Sequence, residues 1–99
     1  MKTSVTVLLE ATAKLECIND LIAMVHENFK ETRVYDGCID VYMNRGHDDP
    51  NQLVLVEQWE TRPNYETYLA WRTDTGVSEQ LAGMLSAPPI FRYFDRLEE

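Results

Sequence analysis

The spacing of hydrophobic residues changes several times along this 99-residue chain, and each change marks the boundary of a predicted element. Four stretches have the alternating or continuously apolar character of β-strands: residues 4–10, 38–45, 53–59 and 90–97. Three others repeat apolar residues at helical spacing: residues 15–33, 63–72 and a shorter one at 77–85. The predicted order is therefore β-α-β-β-α-β, with an additional short helix before the last strand.

This order is that of the split βαβ, or ferredoxin-like, arrangement, an α+β fold whose four-stranded antiparallel sheet carries helices on one face. Several strands are apolar on both faces; in the first strand, Leu8 lies opposite Val5 and Val7. A second apolar face on a small domain usually means a partner surface. We expect that partner to be a second copy of the chain, packed sheet to sheet about a two-fold axis.

The stretch from Leu53 to Arg72 joins the third strand to the helix that follows it. The apolar strand ends at Trp59, and after the turn Tyr65, Tyr68 and Arg72 recur at positions i, i+3 and i+7 of one helical face. We expect strand and helix to form one wall of a pocket, with the indole at the corner and the two phenols and the guanidinium on the inner face of the helix.

Length and charge narrow the functional classes. Ninety-nine residues correspond to one domain, spanning 1–99, and a net charge of −8 argues against nucleic acid or an anionic membrane as partner. No segment approaches the roughly 20 apolar residues of a membrane span, and the N-terminus lacks the layout of a signal peptide, so we expect a cytoplasmic protein. His47, Asp48 and Asp49 are metal-ligand residue types, but adjacent turn positions rarely converge on one ion; no metal site is predicted.

Two segments carry a family resemblance: VLVEQWET at residues 54–61, followed by an aromatic helix, and YDGCIDVYMNR at residues 35–45. Together with the order of elements, they resemble the antibiotic biosynthesis monooxygenase (ABM) family of dimeric α/β-barrel proteins. The resemblance implies a homodimer whose sheets form a barrel, and a cavity between each sheet and its helices. Oxygenase members oxidise electron-rich phenols or quinols with O₂ and no metal, flavin or haem, so the implied cofactor is none. Other members degrade haem or act as isomerases.

The resemblance extends to individual residues only in part. Trp59 matches the tryptophan of the oxygenase members, and Tyr65 matches a phenol that follows it. Leu55 stands where some of those enzymes have an asparagine, four residues before the tryptophan. The helix after the tryptophan strand has no histidine, which haem-degrading members use there to ligate iron.

Seven residues are candidates for a site on these grounds. The catalytic candidates are Trp59, Arg72 and His26, and the candidates for substrate binding are Tyr65, Tyr68, Tyr42 and Asn44. An indole could stack on a flat aromatic substrate, a guanidinium could hold a substrate anion, and an imidazole could deprotonate a phenol near neutral pH. The tyrosines and the asparagine could hydrogen-bond a substrate oxygen.

Each candidate also has a purely structural interpretation. Trp59 could pack in the core where strand meets helix, and the tyrosines could be core aromatics with an exposed hydroxyl. Arg72 could extend to water or pair with Glu57 or Asp95. His26 could be a half-buried residue at the edge of an apolar stripe. The sequence leaves both interpretations open.

The leading hypothesis is a cofactor-independent monooxygenase that oxidises a small phenolic or quinol-type aromatic with O₂. Its partners would then be the small aromatic substrate, O₂ and a second copy of the chain. The alternatives are a non-catalytic ligand-binding or stress-response dimer, and a haem-degrading enzyme or an isomerase on the same scaffold.

Overall fold

The computed structural model describes residues 3–97 of the chain. It contains four strands and three helices: β1 (Val5–Thr12), α1 (Ile18–Thr32), β2 (Cys38–Arg45), β3 (Gln52–Trp59), α2 (Arg62–Asp74), α3 (Val77–Ala82) and β4 (Ile90–Asp95). The predicted order of elements is confirmed, and the predicted bounds of β2 coincide with the observed ones.

The four strands form one sheet in the order β2-β3-β1-β4, and every neighbouring pair is antiparallel. The chain therefore crosses the sheet twice between strands that are not neighbours: α1 leads from central β1 to edge strand β2, and α2 and α3 lead from central β3 to edge strand β4. This is the ferredoxin-like α+β fold that the order of elements predicted.

The core lies between the helices and one face of the sheet. Alternation along the central strands directs every second side chain towards the helices. On the helical side, α1 contributes a buried stripe at a spacing of three and four residues. The buried residues that strands and helix bring together in this part of the core are Ala11, Ile18, Leu21, Val25, Phe29, Val41, Leu53 and Leu55.

Local chemistry explains where α2 begins. The hydroxyl of Thr61 accepts a hydrogen bond from the backbone N–H of Asn64 at 3.2 Å, and Pro63 occupies the first turn. Asn64 also packs against Gly37, which adopts a φ of +88° in the turn before β2. A Cβ atom at that glycine would collide with the Asn64 side chain, so this turn and the start of α2 can approach only through glycine.

Strand β2 differs from the prediction in the direction of two side chains, those of Ile39 and Cys38. Simple alternation places Ile39, Val41 and Met43 on the same face. In the structure, Cys38 pairs with Trp59 while Asp40 pairs with the preceding residue of β3, so Ile39 is the extra residue of a bulge. Its side chain is 55% exposed, whereas Val41 is buried. The bulge turns Cys38 towards the helices instead.

The sheet face opposite the helices, which we call the outer sheet face, is the second apolar face that the sequence predicted. Tyr42, Ile90 and Phe94 are each about half exposed there (49%, 51% and 49%). The side chains of Leu8, Val54 and Val56 occupy its centre and are half-buried. In the part of the chain that the structure describes, no helix is long and apolar enough to cross a membrane.

Candidate active site

Two adjoining cavities lie between the sheet and the helices. The larger, of about 90 Å³, is lined almost entirely by apolar side chains from β1, α1, β3, α2, α3 and β4. The smaller, of about 60 Å³, is lined by polar side chains as well, namely Asn28, Glu57, Tyr65, Tyr68 and Arg72. Five residues line both cavities: Leu9, Val25, Leu55, Leu69 and Leu81. The two spaces are therefore neighbouring parts of one pocket with an apolar end and a polar end.

Glu57 is the acidic group of the polar end. It belongs to the inward-facing series of β3, after Leu53 and Leu55, and it is only 5% exposed. The indole N–H of Trp59 donates a hydrogen bond to its Oε1 at 3.1 Å. Burial raises the pKa of Glu57 to about 7, and this effect exceeds the opposing effects of the indole hydrogen bond and the Arg72 charge. The carboxyl group is thus poised to accept and release a proton near neutral pH.

Arg72 is a buried cation that ties α2 to the end of α1. It is 4% exposed, and its Nη2 donates to the backbone carbonyl of Asn28 at 2.8 Å and to Oγ1 of Thr32 at 3.3 Å. Its Nη1 lies 3.4 Å from the carboxylate of Glu31, which is largely exposed. The C-terminal end of α1 also favours a cation through the helix dipole. The guanidinium is therefore held mainly by α1, not by Glu57 or Asp95.

The hydroxyl of Tyr68 is fully engaged in the same network. It accepts a hydrogen bond from Nε of Arg72 at 2.9 Å and lies 2.8 Å from Oγ1 of Thr32. Thr32 donates its only proton to the carbonyl of Asn28 at 3.0 Å, so the proton between Thr32 and Tyr68 comes from the phenol. Tyr68 thus donates to α1 and accepts from Arg72. Its hydroxyl is committed to holding the two helices together.

Tyr65 differs from Tyr68 because its hydroxyl makes no hydrogen bond to any residue between 3 and 97. The side chain is 1% exposed and lines the smaller cavity. Burial, together with the nearby charge of Glu57, raises the pKa of Tyr65 well above its usual range. Tyr65 therefore stays protonated at neutral pH and offers a hydrogen-bond donor to the polar end of the pocket.

Trp59 anchors an aromatic cluster beneath this polar end. Its ring centroid lies 5.0 Å from that of Tyr68, 5.6 Å from that of Tyr65 and 6.3 Å from that of Tyr35. Trp71 stacks on Tyr35 at 5.2 Å. The Trp59 side chain is completely buried and is not part of the lining of either cavity. Trp59 acts on the pocket through the hydrogen bond that its indole N–H donates to Glu57.

The cysteine beside this cluster is not activated. Cys38 is half-buried next to Trp59, and burial, Glu57 and Asp40 raise the pKa of its thiol to about 11. A neutral thiol is a poor nucleophile. Among Glu57, Tyr65, Tyr68 and Cys38, only Glu57 has a pKa near neutral pH.

Comparison with known proteins decides the family. The family model described as "Antibiotic biosynthesis monooxygenase" matches residues 4–73, which is most of the chain and includes Glu57, Tyr65, Tyr68 and Arg72. This chain belongs to the ABM family. The resemblance seen in the sequence is therefore confirmed.

Solved structures agree with this ABM fold. A conserved protein from Methanosarcina mazei superimposes with a TM-score of 0.86 at 16% identity, covering 94% of this chain and 92% of its own. The Rv0793 protein of Mycobacterium tuberculosis gives 0.85 at 21% identity and 97% of both chains. A structure described as an antibiotic biosynthesis monooxygenase gives 0.84 at 18% identity, with 95% and 99% covered. No curated protein matches the chain. At these identities the likeness shows the fold alone.

The ABM fold brings four of the seven predicted residues together and leaves three apart. Arg72, Tyr65 and Tyr68 line the polar end of the pocket, and Trp59 packs behind it against both tyrosines. His26 is exposed because it follows Val25 and so lies outside the buried stripe of α1. Tyr42 and Asn44 lie on the outer sheet face, where alternation directs every second residue of β2 away from the helices. None of these three lines either cavity.

The residue that sequence analysis missed as a functional candidate is Glu57, which it considered only as an ion-pair partner of Arg72. One signal could have found it: a carboxylate stands in the inward-facing series of an otherwise apolar strand, between Leu55 and Trp59. Buried acidic residues are rare unless a partner or a function retains them. Asn28 and Thr32, which accept hydrogen bonds from Arg72, carried no such signal in the sequence, because they lie in a distant part of the chain.

Proposed function

We propose that this ABM-family protein is a monooxygenase that oxidises a small phenolic or quinol-type aromatic with O₂, using no metal, flavin or haem. The observation that supports it is the Glu57 carboxyl, with a pKa of about 7, at the polar end of an otherwise apolar pocket. An electron-rich phenol reacts with O₂ far more readily as its anion. A buried base beside an apolar site supplies that anion where water does not stabilise it.

The first step is proton transfer from the phenol to Glu57. Tyr65 donates a hydrogen bond to the phenolate oxygen, and Arg72 stabilises the anion through its charge. Tyr68 is a positioning residue in this scheme, since its hydroxyl is engaged with Thr32 and Arg72. Trp59 is also a positioning residue, because it fixes the carboxyl through Oε1.

The second step is oxidation of the phenolate. It passes one electron to O₂, and the resulting phenoxyl radical and superoxide combine at an ortho or para ring carbon that carries hydrogen. The peroxide takes the proton held by Glu57 and becomes a hydroperoxide. Glu57 then removes the hydrogen on that carbon while the O–O bond breaks, and the proton finally joins the departing hydroxide. The balance is one phenol and one O₂ converted to one quinone and one water, with four electrons transferred to O₂.

The structure also bears on the alternatives. The lining of both cavities contains no histidine, which removes the usual protein ligand of haem iron from the pocket. An isomerase is the second candidate, because Glu57 and Tyr65 would also serve to move a proton between two carbons of a carbonyl compound. A dimer that only binds its ligand would use Glu57 as a hydrogen-bond acceptor, and it is distinguished from the oxygenase by the absence of O₂ uptake.

Oxygen uptake tests the proposal. Dialysed, metal-stripped protein is supplied with single monohydric phenols, which become quinones only by gaining an oxygen atom, and O₂ consumption is followed together with quinone absorbance. We expect one O₂ consumed per quinone formed, and a loss of at least about 100-fold in rate for Glu57→Gln, the usual scale of a lost general base. Glu60→Gln, an exposed carboxylate next to β3, serves as the matched control and should keep full activity. Uptake that is indifferent to Glu57→Gln would remove the base from the mechanism.

We further propose that the protein works as a homodimer joined through the outer sheet face. The support is the half-exposed Tyr42, Ile90 and Phe94 around a centre of Leu8 and Val56. These apolar side chains surround the Arg92–Glu10 ion pair on the same face, and exposed apolar side chains gathered on one face mark interaction sites on small domains.

We also propose the reducing cytoplasm as the place of action. Cys17 and Cys38 are both free thiols, which persist in reducing compartments. Fractionation of source cells, with detection of the protein in the cytoplasmic or another fraction, tests this.

A further inference from the structure

We propose that the pocket selects uncharged, one-ring phenols, whose hydroxyl binds between the Glu57 carboxylate and the Tyr65 hydroxyl, and that it rejects aromatic carboxylates. This inference deepens the proposed function and rests on the same site. It concerns binding, however, so it can be tested without any oxidation taking place.

The size of the pocket limits the ligand to one ring. Its two parts measure about 90 and 60 Å³, and they adjoin through Leu9, Leu55 and Leu69. An apolar cavity of about 150 Å³ holds benzene, whereas sites for drug-sized ligands measure about 300–1,000 Å³. A single substituted ring therefore fits, and a fused two-ring system requires the helices to move away from the sheet.

The free polar atoms define what the ring must carry. Among the polar side chains of the smaller cavity, Tyr68 and Arg72 are engaged with α1. Asn28 is half-buried and holds Arg72 through its backbone carbonyl. Glu57 keeps its second carboxyl oxygen free of hydrogen bonds to the described residues, and Tyr65 keeps its hydroxyl. Glu57 thus offers an acceptor and Tyr65 a donor, which together are the complement of a phenol hydroxyl that donates to one and accepts from the other.

The charges of the site argue against an anionic ligand. Arg72 is the one cation in the lining of the smaller cavity, and its charge already faces Glu31 and Glu57. A ligand carboxylate would enter without a counterion, beside the negative charge of Glu57. Burying an unpaired carboxylate is strongly unfavourable. A neutral phenol brings no charge into the site. When its proton moves to Glu57, the phenol becomes an anion and the carboxylate becomes neutral, so the total charge of the site does not change.

The test is anaerobic calorimetric titration at pH 8 with four probes: p-cresol, toluene, 4-hydroxybenzoate and 1-naphthol. We expect p-cresol to bind. Toluene should bind about tenfold more weakly than p-cresol, because Glu57 and Tyr65 then lack a hydroxyl to pair with. 4-Hydroxybenzoate and 1-naphthol should bind at least about 30-fold more weakly than p-cresol. Tyr65→Phe should weaken p-cresol about tenfold and leave toluene unchanged. Tyr42→Phe, a phenol on the outer sheet face, is the matched control and should change neither.

Glu57→Gln gives a signature that mere structural damage would not produce. Removing its charge should narrow the gap between p-cresol and 4-hydroxybenzoate by about tenfold. Binding of 4-hydroxybenzoate or 1-naphthol as tight as that of p-cresol overturns the inference, as does an unchanged affinity in Tyr65→Phe or no binding of any probe. Selective binding of p-cresol without O₂ uptake would support this inference and contradict the oxygenase proposal. Oxidation of charged or two-ring phenols would support the oxygenase proposal and contradict this inference.

Discussion

The indole N–H of Trp59 donates to Oε1 of Glu57 across 3.1 Å, although the two residues lie on the same strand and only two positions apart. Strand alternation directs both side chains towards the helices, and the hydrogen bond then holds the carboxyl in one orientation at the polar end of the pocket. A completely buried tryptophan thus acts on the pocket through an acidic group.

Trp59→Phe should raise the pKa of Glu57, because the indole hydrogen bond favours the charged carboxylate. We expect the midpoint of the pH–rate profile to move upwards, and the free energy of unfolding to fall by about 1–3 kcal/mol through lost packing. The pH profile of kcat/KM measures the shift of the midpoint, and urea unfolding measures the change in the free energy of unfolding. Trp71→Phe alters the same aromatic cluster without touching Glu57 and should leave the midpoint in place. A fall in stability with no shift in midpoint would make Trp59 a core residue only.

The rate of oxidation should increase with pH through a midpoint near 7. Only the ionised carboxylate accepts the phenol proton, and the pKa of Glu57 is about 7. The charged and titratable groups that act on it are Arg72 from α2, which favours ionisation, and Tyr65, Tyr68 and Cys38, which stay neutral in this range. Stopped-flow or steady-state rates from pH 5 to 9 measure the midpoint. A flat profile between pH 6 and 8 would contradict the assignment of Glu57 as base.

Glu57 should also make the folded protein less stable as the pH rises. Its carboxyl has a pKa of about 4.5 when unfolded and about 7 when folded, so between these values the folded state binds the proton that the unfolded state has lost. The stabilisation is complete below pH 4.5 and has disappeared above pH 7, a change of up to about 3 kcal/mol. Urea unfolding of Glu57→Gln and of the parent protein at pH 5 and pH 8 should show this difference only in the parent. Glu60→Gln should show the same dependence of stability on pH as the parent. If Glu57→Gln showed that dependence as well, Glu57 would have an ordinary pKa in the folded protein.

Arg72→Lys should lower the free energy of unfolding by about 2–4 kcal/mol. A lysine keeps the charge but cannot donate at once to Tyr68, Thr32 and the carbonyl of Asn28, so buried acceptors lose their partners. Arg96→Lys, an exposed change just after β4, is the control and should cost less than about 0.5 kcal/mol. Equal stability of the two variants would show that the network around Arg72 does not hold α2 to α1.

Val56→Lys should convert the proposed dimer to a monomer. Val56 lies at the centre of the outer sheet face, between Leu8 of β1 and Tyr42 of β2. A charge there would be buried without a partner in a sheet-to-sheet interface. Light scattering should give twice the 11.5 kDa mass of the chain for the parent, and the mass of one chain for the variant. Ala70→Lys, on the exposed side of α2, should remain dimeric. A monomeric parent protein would remove the dimer from the proposal.

The sequence by itself determined the elements and their order. Periods of two and of three to four residues are local properties, so the strands, the helices and the ferredoxin-like arrangement could be predicted from the chain alone. The same reasoning placed Trp59, Tyr65, Tyr68 and Arg72 on one wall, since all four belong to a single strand–turn–helix segment. The start of α2 follows equally from local chemistry at Thr61.

Only the tertiary structure decided what those side chains do. The hydrogen-bond partners of Arg72 and Tyr68 come from α1, about forty residues earlier, and no periodicity reports a contact at that distance. The pKa of Glu57 depends on removal of water by elements on both sides of the strand, which is a property of packing. The bulge at Ile39 breaks the alternation on which the face assignment relied. Local pattern thus determines which residues share a face, whereas packing decides which of them lose water, gain partners and can carry chemistry.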